Sequence, residues 1–184
     1  MRSATELLLR QGFHKTSVRE IAAVANVTMG TLYLYISRKE DVLYLIADAI
    51  RSELADGLRS VERRDTPTQT LQSCADYYFR AVGRMRREVS LLYREAESLT
   101  PDQLDALKQS ELQEREFFAS IIQEGIEKGE FRPVHPDLTA HNVIMLAHMW
   151  ALKGWTLKDS FDLDAYIEQQ LAFLLGDLVI PSTD

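Results

Sequence analysis

Apolar residues recur along this chain at intervals of three and four, and no stretch alternates as a half-buried strand would, so the pattern predicts helices throughout. Ala4, Leu7, Leu8 and Phe13 supply the core face of a first helix, with only eleven residues before Gly12. Val18, Ile21, Ala22 and Ala25 supply that of a second, opened by Ser17 with Glu20 three positions on, the spacing of a capping box. Asn26 tolerates left-handed backbone angles and marks a sharp turn, and Thr28 is placed to cap a third helix. There the polarity is inverted. Thr28, Met29, Gly30 and Thr31 are small or polar, while Leu32, Leu34 and Ile36 are the expected apolar anchors, so the opening end should be free to meet a partner.

A fourth helix is expected over about residues 38–63, with Ser37 and Glu40 as a second capping box and one stripe through Val42, Leu43, Ile46, Ala49, Ile50, Leu54 and Leu58. Arg63-Arg64-Asp65-Thr66-Pro67 breaks it, because proline cannot continue the ladder but can open the next helix. A fifth runs to about residue 86 and a sixth over 88–98, and a seventh opens at Thr100-Pro101 and stops at 129–133. The eighth, 136–154, is apolar nearly all round and must be covered on every side. The ninth, 163–179, carries a stripe at Leu163, Ile167, Leu171, Leu174 and Leu178 and a second through Tyr166 and Phe173. Such faces predict a homodimer through a four-helix interface, with a larger monomeric core as the alternative.

Two short helices joined by a tight turn, the second with an exposed opening, form a helix-turn-helix, whose second helix reaches base edges in the major groove. An ordinary helical hairpin within a bundle would look similar. Residues 16–43, however, resemble the DNA-binding domain of TetR-type transcriptional regulators through Thr16-Ser17-Val18-Arg19-Glu20-Ile21-Ala22, Thr31-Leu32-Tyr33-Leu34-Tyr35-Ile36 and Lys39-Glu40-Asp41-Val42-Leu43. The resemblance implies an all-α fold: a three-helix DNA-binding domain over 1–47, joined by a long helix to a ligand-binding and dimerisation bundle over 48–184. It further implies that Thr16, Ser17, Tyr33, Tyr35 and Lys39 hold the DNA backbone, with Thr28, Met29, Gly30 and Thr31 over base edges. The implied function is that of a homodimeric repressor, released from double-stranded palindromic operator DNA by a small apolar or amphipathic effector such as an acyl-coenzyme A thioester. The chain departs from the family pattern at Asn26, where glycine is common, and at Arg38, where a small capping residue is common and where arginine would add a phosphate ligand.

Charge fits this division. The 184 residues carry a net −7, but residues 1–47 hold six Lys and Arg against four Asp and Glu, leaving the remainder at −9. A mildly basic head on an acidic body would bind DNA end-on and with salt dependence. No run of eighteen apolar residues and no basic-then-apolar leader is present, so a cytoplasmic protein without a membrane partner is expected. The single cysteine, Cys74, shares a helix face with Leu71, Tyr78, Val82 and Met85 and reads as core.

For the effector, Tyr78, Met85, Tyr93, Phe118, Ile122, Met145, His148 and Met149 are the expected lining, within a wider aromatic and methionine set that would also serve as plain core. Arg80, Arg84, Arg86, Arg87 and Arg94 either clamp an anionic head group or form a solvated face paired with Glu88, Glu95 and Glu97. His141, Met145 and His148 share a face but complete no zinc spacing, so neither a metal nor a cofactor is expected. Catalysis lacks its parts: there is no glycine-rich phosphate loop, no His-Glu-x-x-His run and no Gly-x-Ser-x-Gly elbow. A helical protein-binding adaptor is the other alternative, and it would not need the exposed surface over 28–35.

Overall fold

The computed structural model describes residues 2–180. Among them the chain forms α1 (Arg2–Gln11), α2 (Val18–Val24), α3 (Met29–Leu32), α4 (Asp41–Ser60), α5 (Pro67–Arg84), α6 (Arg86–Glu95), α7 (Pro101–Glu127), α8 (Pro136–Lys153) and α9 (Leu163–Leu178). Among the described residues the one extended pairing is an isolated bridge between Phe131 and Val179, which ties the end of α9 to the loop before α8. No helix among the described residues is long and apolar enough to cross a membrane.

Local chemistry sets most helix starts. The Ser17 hydroxyl accepts from the Glu20 N–H while the Glu20 carboxylate accepts from the Ser17 N–H, closing the expected capping box. Thr100 closes the same kind of box with Gln103, while Thr28, Thr66 and Asp162 cap α3, α5 and α9 by accepting from a single backbone N–H each. Asn26 sits at φ 54°, the only non-glycine residue with positive φ among those described. The expected Ser37–Glu40 box does not form. Instead the Asp41 carboxylate accepts from the N–H groups of Ser37 and Arg38, so α4 opens at Asp41 rather than at 38. It also closes early, at Ser60, because Val61 is already extended.

Leu8, Phe13, Ile21, Ile36 and Leu43 make the core of the head, and the buried cluster continues without a break into the bundle through Ile46, Ile50, Leu54 and Leu58 on one side of α4. Ala47 takes the inward position expected of Ala49, which is exposed. In the bundle α8 is central. It packs on α5, α6 and α7, and the chain itself therefore covers more of it than its all-round apolarity suggested. Tyr166 belongs to this core, its hydroxyl donating to the Leu146 carbonyl, whereas Phe173 points outward at 72% exposure, so the second stripe of α9 splits between core and surface. α4 and α5 approach closely at Gly57: a Cβ there would lie 1.6 Å from the Tyr77 hydroxyl, which donates to the Glu53 carbonyl.

Candidate functional site

The head presents α3 as expected at its opening. Thr28 accepts from the Thr31 N–H, the two hydroxyls meet at 2.9 Å, and a Cβ at Gly30 would meet the Thr28 hydroxyl oxygen at 3.8 Å, an ordinary contact. Thr28, Gly30 and Thr31 are exposed, Met29 is half-buried, and Tyr33 and Tyr35 are 53% and 74% exposed. Leu34 is not an anchor. It is 82% exposed, because α3 ends at Leu32 and the chain turns before Ile36 re-enters the core. Its apolar side chain therefore stands on the exposed face beside α3, where helical periodicity had placed it in the core.

Thr16 does not stand at the surface: it is 2% exposed, and its hydroxyl donates to the Gly12 carbonyl at 2.9 Å, closing the α1–α2 turn. Ser17 is exposed, yet its N–H and hydroxyl both go to Glu20. Lys39 reaches back, its Nζ 3.1 Å from the Phe13 carbonyl and 3.4 Å from that of His14, over the Phe13 ring at 4.4 Å. Its ammonium is thus a brace across the head first and a free cation second. Lys15 and Arg19, exposed beside the α2 cap, are the bare cations that the capping pattern concealed.

Beside the shared apolar core, two polar contacts among the described residues tie head to bundle. His14 Nε2 lies 3.1 Å from Glu95 Oε2 at the end of α6, and Gln103 Nε2 donates to Asp41 Oδ1 at 2.9 Å. Burial pushes the Asp41 carboxyl up, but hydrogen bonds from Ser37, Gln103 and Arg38 outweigh it and leave the group below the usual carboxylate range. One carboxylate therefore closes the loop after α3 and holds the opening of α7.

Between α4, α6, α7 and α8 lies a chamber of about 300 Å³. Ile50 and Leu54 wall one side, Val89, Leu92 and Tyr93 a second, and Leu104, Leu107, Glu111 and Glu114 a third, with His148 from α8. Its polar wall is a chain of hydrogen bonds. Tyr78 donates to Glu114 Oε2 at 2.6 Å and meets His148 Nε2 at 3.2 Å, while Tyr93 meets His148 Nδ1 at 2.8 Å. A neutral imidazole that donates from Nε2 to Tyr78 and accepts at Nδ1 from Tyr93 satisfies every member. Burial supports that state, holding His148 down to about 4, and burial also lifts the Glu114 carboxyl to about 7 against the lowering effect of Tyr78. Arg51 and Lys108 add two cations to the lining.

Of the expected lining, Tyr93 and His148 face the chamber and Tyr78 stands just behind it. Phe118 and Ile122 are fully buried core, and Met85 packs against that core without lining the chamber. Met145 and Met149 lie in a groove between α8 and α9 on another face. The arginine set is divided: Arg80 pairs with Asp76 and Asp164, Arg84 with Glu53, and Arg94 with its neighbour Glu95, while Arg86 and Arg87 make no ion pair among the described residues, and of the expected partners only Glu95 takes part. Leu104, Leu107, Glu111 and Glu114 were missed although they fall at helical spacing on one face of α7.

A helix-turn-helix head with an exposed recognition helix, continuous with a helical bundle, defines a sequence-specific DNA-binding transcriptional regulator. A family model described as "Bacterial regulatory proteins, tetR family" matches residues 1–44, and one described as "Tetracyclin repressor-like, C-terminal domain" matches residues 64–155. The chain belongs to the TetR family. It is 30% identical over 177 residues to the HTH-type transcriptional regulator HbdR of Aromatoleum sp. (strain CIB), across 94% of this chain and 76% of that one. A solved tetR-family regulatory protein from Rhodococcus RHA1 shares the fold at a TM-score of 0.85 and 20% identity, over 98% of this chain and 95% of the other. AibR, solved in complex with isovaleryl coenzyme A and operator DNA, shares it at a TM-score of 0.78 and 22% identity, over 95% of each chain.

Proposed function

We propose that the protein is a homodimeric repressor in the cytoplasm, which leaves a palindromic operator when an amphipathic effector of the acyl-coenzyme A class enters the chamber. The observation that carries this reading is shared walls: α4 and α7 line the chamber and also meet at Asp41–Gln103, immediately behind the recognition helix. An acyl group fits the apolar walls, and the nucleotide, too large for the chamber, stays outside near Arg51 and Lys108. Their present partners, Asp48 and Asp105, are exposed neighbours on the same helices, and such pairs yield readily to a phosphate. The fold shared with AibR, solved with such a thioester and with operator DNA, supports the same class.

In this reading residues 1–47 serve DNA and 48–184 serve the effector and the second copy. Thr28, Met29, Gly30 and Thr31 meet base edges, Leu34 a thymine methyl, and Tyr33 and Tyr35 phosphates, while Lys39 braces the head. The groove of Met145, Met149 and Phe173 between α8 and α9 is the seam between copies. Two recognition helices must stand roughly 34 Å apart to enter successive major grooves, and an effector that favours another spacing releases the DNA. Reversing occupancy from 99:1 to 1:99 takes about 5.5 kcal/mol of differential affinity. The test is fluorescence anisotropy on an operator selected from random duplexes, titrated with isovaleryl-, hexanoyl- and octanoyl-coenzyme A and with free coenzyme A. Release by a thioester but not by coenzyme A is expected; operator affinity indifferent to every thioester overturns the effector class.

A further inference from the structure

The polar wall of the chamber is costly unless a ligand uses it. Ile50, Leu54, Val89 and Leu92 make the facing walls aliphatic, yet Glu114 turns one carboxyl oxygen to Tyr78 and leaves the other without a hydrogen-bond partner among the described residues. Tyr93, donating to His148, likewise keeps its oxygen lone pairs at the chamber surface. A ligand ending in plain hydrocarbon would strip water from both acceptors and offer nothing in return.

Building on the chamber reading above, we propose that the effector carries a hydroxyl group at its buried end, and that Glu114, positioned by the Tyr78–His148–Tyr93 chain, reads that hydroxyl. A hydroxyl both donates and accepts, so it pairs with Glu114 whether or not the carboxyl holds a proton, a useful property for a group that burial has lifted to about 7. A carboxylate on the ligand would meet Glu111 and Glu114 together. A cation would gain from those two acids but would share the chamber with Arg51 and Lys108, and the hydrogen-bond chain it would join is neutral from Tyr93 to Tyr78. The chemistry that fits is therefore an acyl chain or ring bearing a neutral alcohol or phenol.

The test uses the full chain and isothermal titration calorimetry with hexanoyl- and octanoyl-coenzyme A and their ω-hydroxy, ω-amino and ω-carboxy counterparts. The ω-hydroxy thioesters should bind roughly tenfold tighter than their parents, as one hydrogen bond to a buried carboxyl group allows. Glu114→Leu should abolish that preference, read as the ratio of ω-hydroxy to parent affinity within the same variant. Glu114→Asp, which withdraws the carboxyl by one methylene and preserves its chemistry, should reduce the preference and provides the test if the leucine variant fails to fold. Equal binding of parent and ω-hydroxy thioesters overturns the inference and leaves the effector class standing, as does tighter binding of the ω-amino members or a preference that survives both variants. No binding of any thioester by protein that still binds operator overturns both readings.

Discussion

Two buried groups on the chamber wall titrate in opposite senses. Glu114 keeps its proton to about pH 7 in the folded chain against an ordinary 4.5, so between those values the unfolded chain binds fewer protons and stability falls as pH rises. His148 stays neutral down to about 4 against an ordinary 6.5, so over that interval the unfolded chain binds more protons and stability rises with pH. The two slopes oppose each other across most of the range. Glu114→Gln should therefore unmask a rise from pH 4 to 6.5, and His148→Gln a fall from pH 4.5 to 7, each by about 3 kcal/mol in urea unfolding followed at a series of pH values. Curves that stay parallel to the parent protein would show that neither group is desolvated as described. His148 was legible in the sequence as a hydrogen-bonded residue at a dimer seam or a pocket mouth, because a lone histidine on an apolar face needs partners, and the structure places it at the chamber. Glu114 was not, since a glutamate on a long helix reads as solvated until a second helix is laid over it. Thr16 misled for the converse reason: a hydroxyl beside a cap looks available, and only the turn back to Gly12 shows it taken.

At the scale of elements, the signals carried within four residues were legible and those set by competition were not. The Ser17 box, the Thr28 and Thr100 caps, the Pro67 opening and the Asn26 turn all stand where local chemistry puts them. The opening of α4 does not, because Asp41 competes for the same backbone donors as Ser37 and wins with two of them. Leu34 escaped for a related reason: α3 is a single turn, and a helical period cannot be carried through a chain that has already left the helix. The α2–α3 turn gives a sharp prediction. Asn26→Val forces a β-branched side chain to φ 54° and should cost about 2 kcal/mol, with operator affinity falling in step, whereas Asn26→Gly should stay within about half of that. Thermal unfolding beside anisotropy on operator DNA measures both. A tolerated valine would mean that the turn relaxes without disturbing the recognition helix.

For the molecule as a whole, the question is how an event in the chamber reaches DNA, and the answer depends on contacts between residues more than sixty positions apart. Gln103 is instructive, since one end of its amide completes the α7 capping box and the other holds Asp41. Gln103→Glu keeps the first interaction and turns the second into a repulsion. Effector affinity measured without DNA should stay within about twofold, while the loss of operator affinity on saturation with effector should shrink severalfold, and equally the loss of effector affinity on adding operator, because coupling is reciprocal. A variant released as fully as the parent would place the coupling elsewhere, with His14–Glu95 the next contact to examine. None of this pairing was legible beforehand. Periodicity yields the faces of helices and so the all-α class and the two-part plan, but which faces meet, and therefore where a chamber opens, depends on crossing angles that no single helix encodes.

The lone thiol of Cys74 is buried in the bundle, and burial raises its pKa further, so it reacts slowly with alkylating probes. The chain thus arrives with a chemically quiet surface. A single Arg19→Cys substitution, on the exposed edge of α2, would accept a spin label selectively in each copy of a pair, without any native residue having to be removed. Pulsed electron resonance on that one derivative, alone, with DNA and with a thioester, would turn the separation of the two heads from an inference about grooves into a measured distribution of distances.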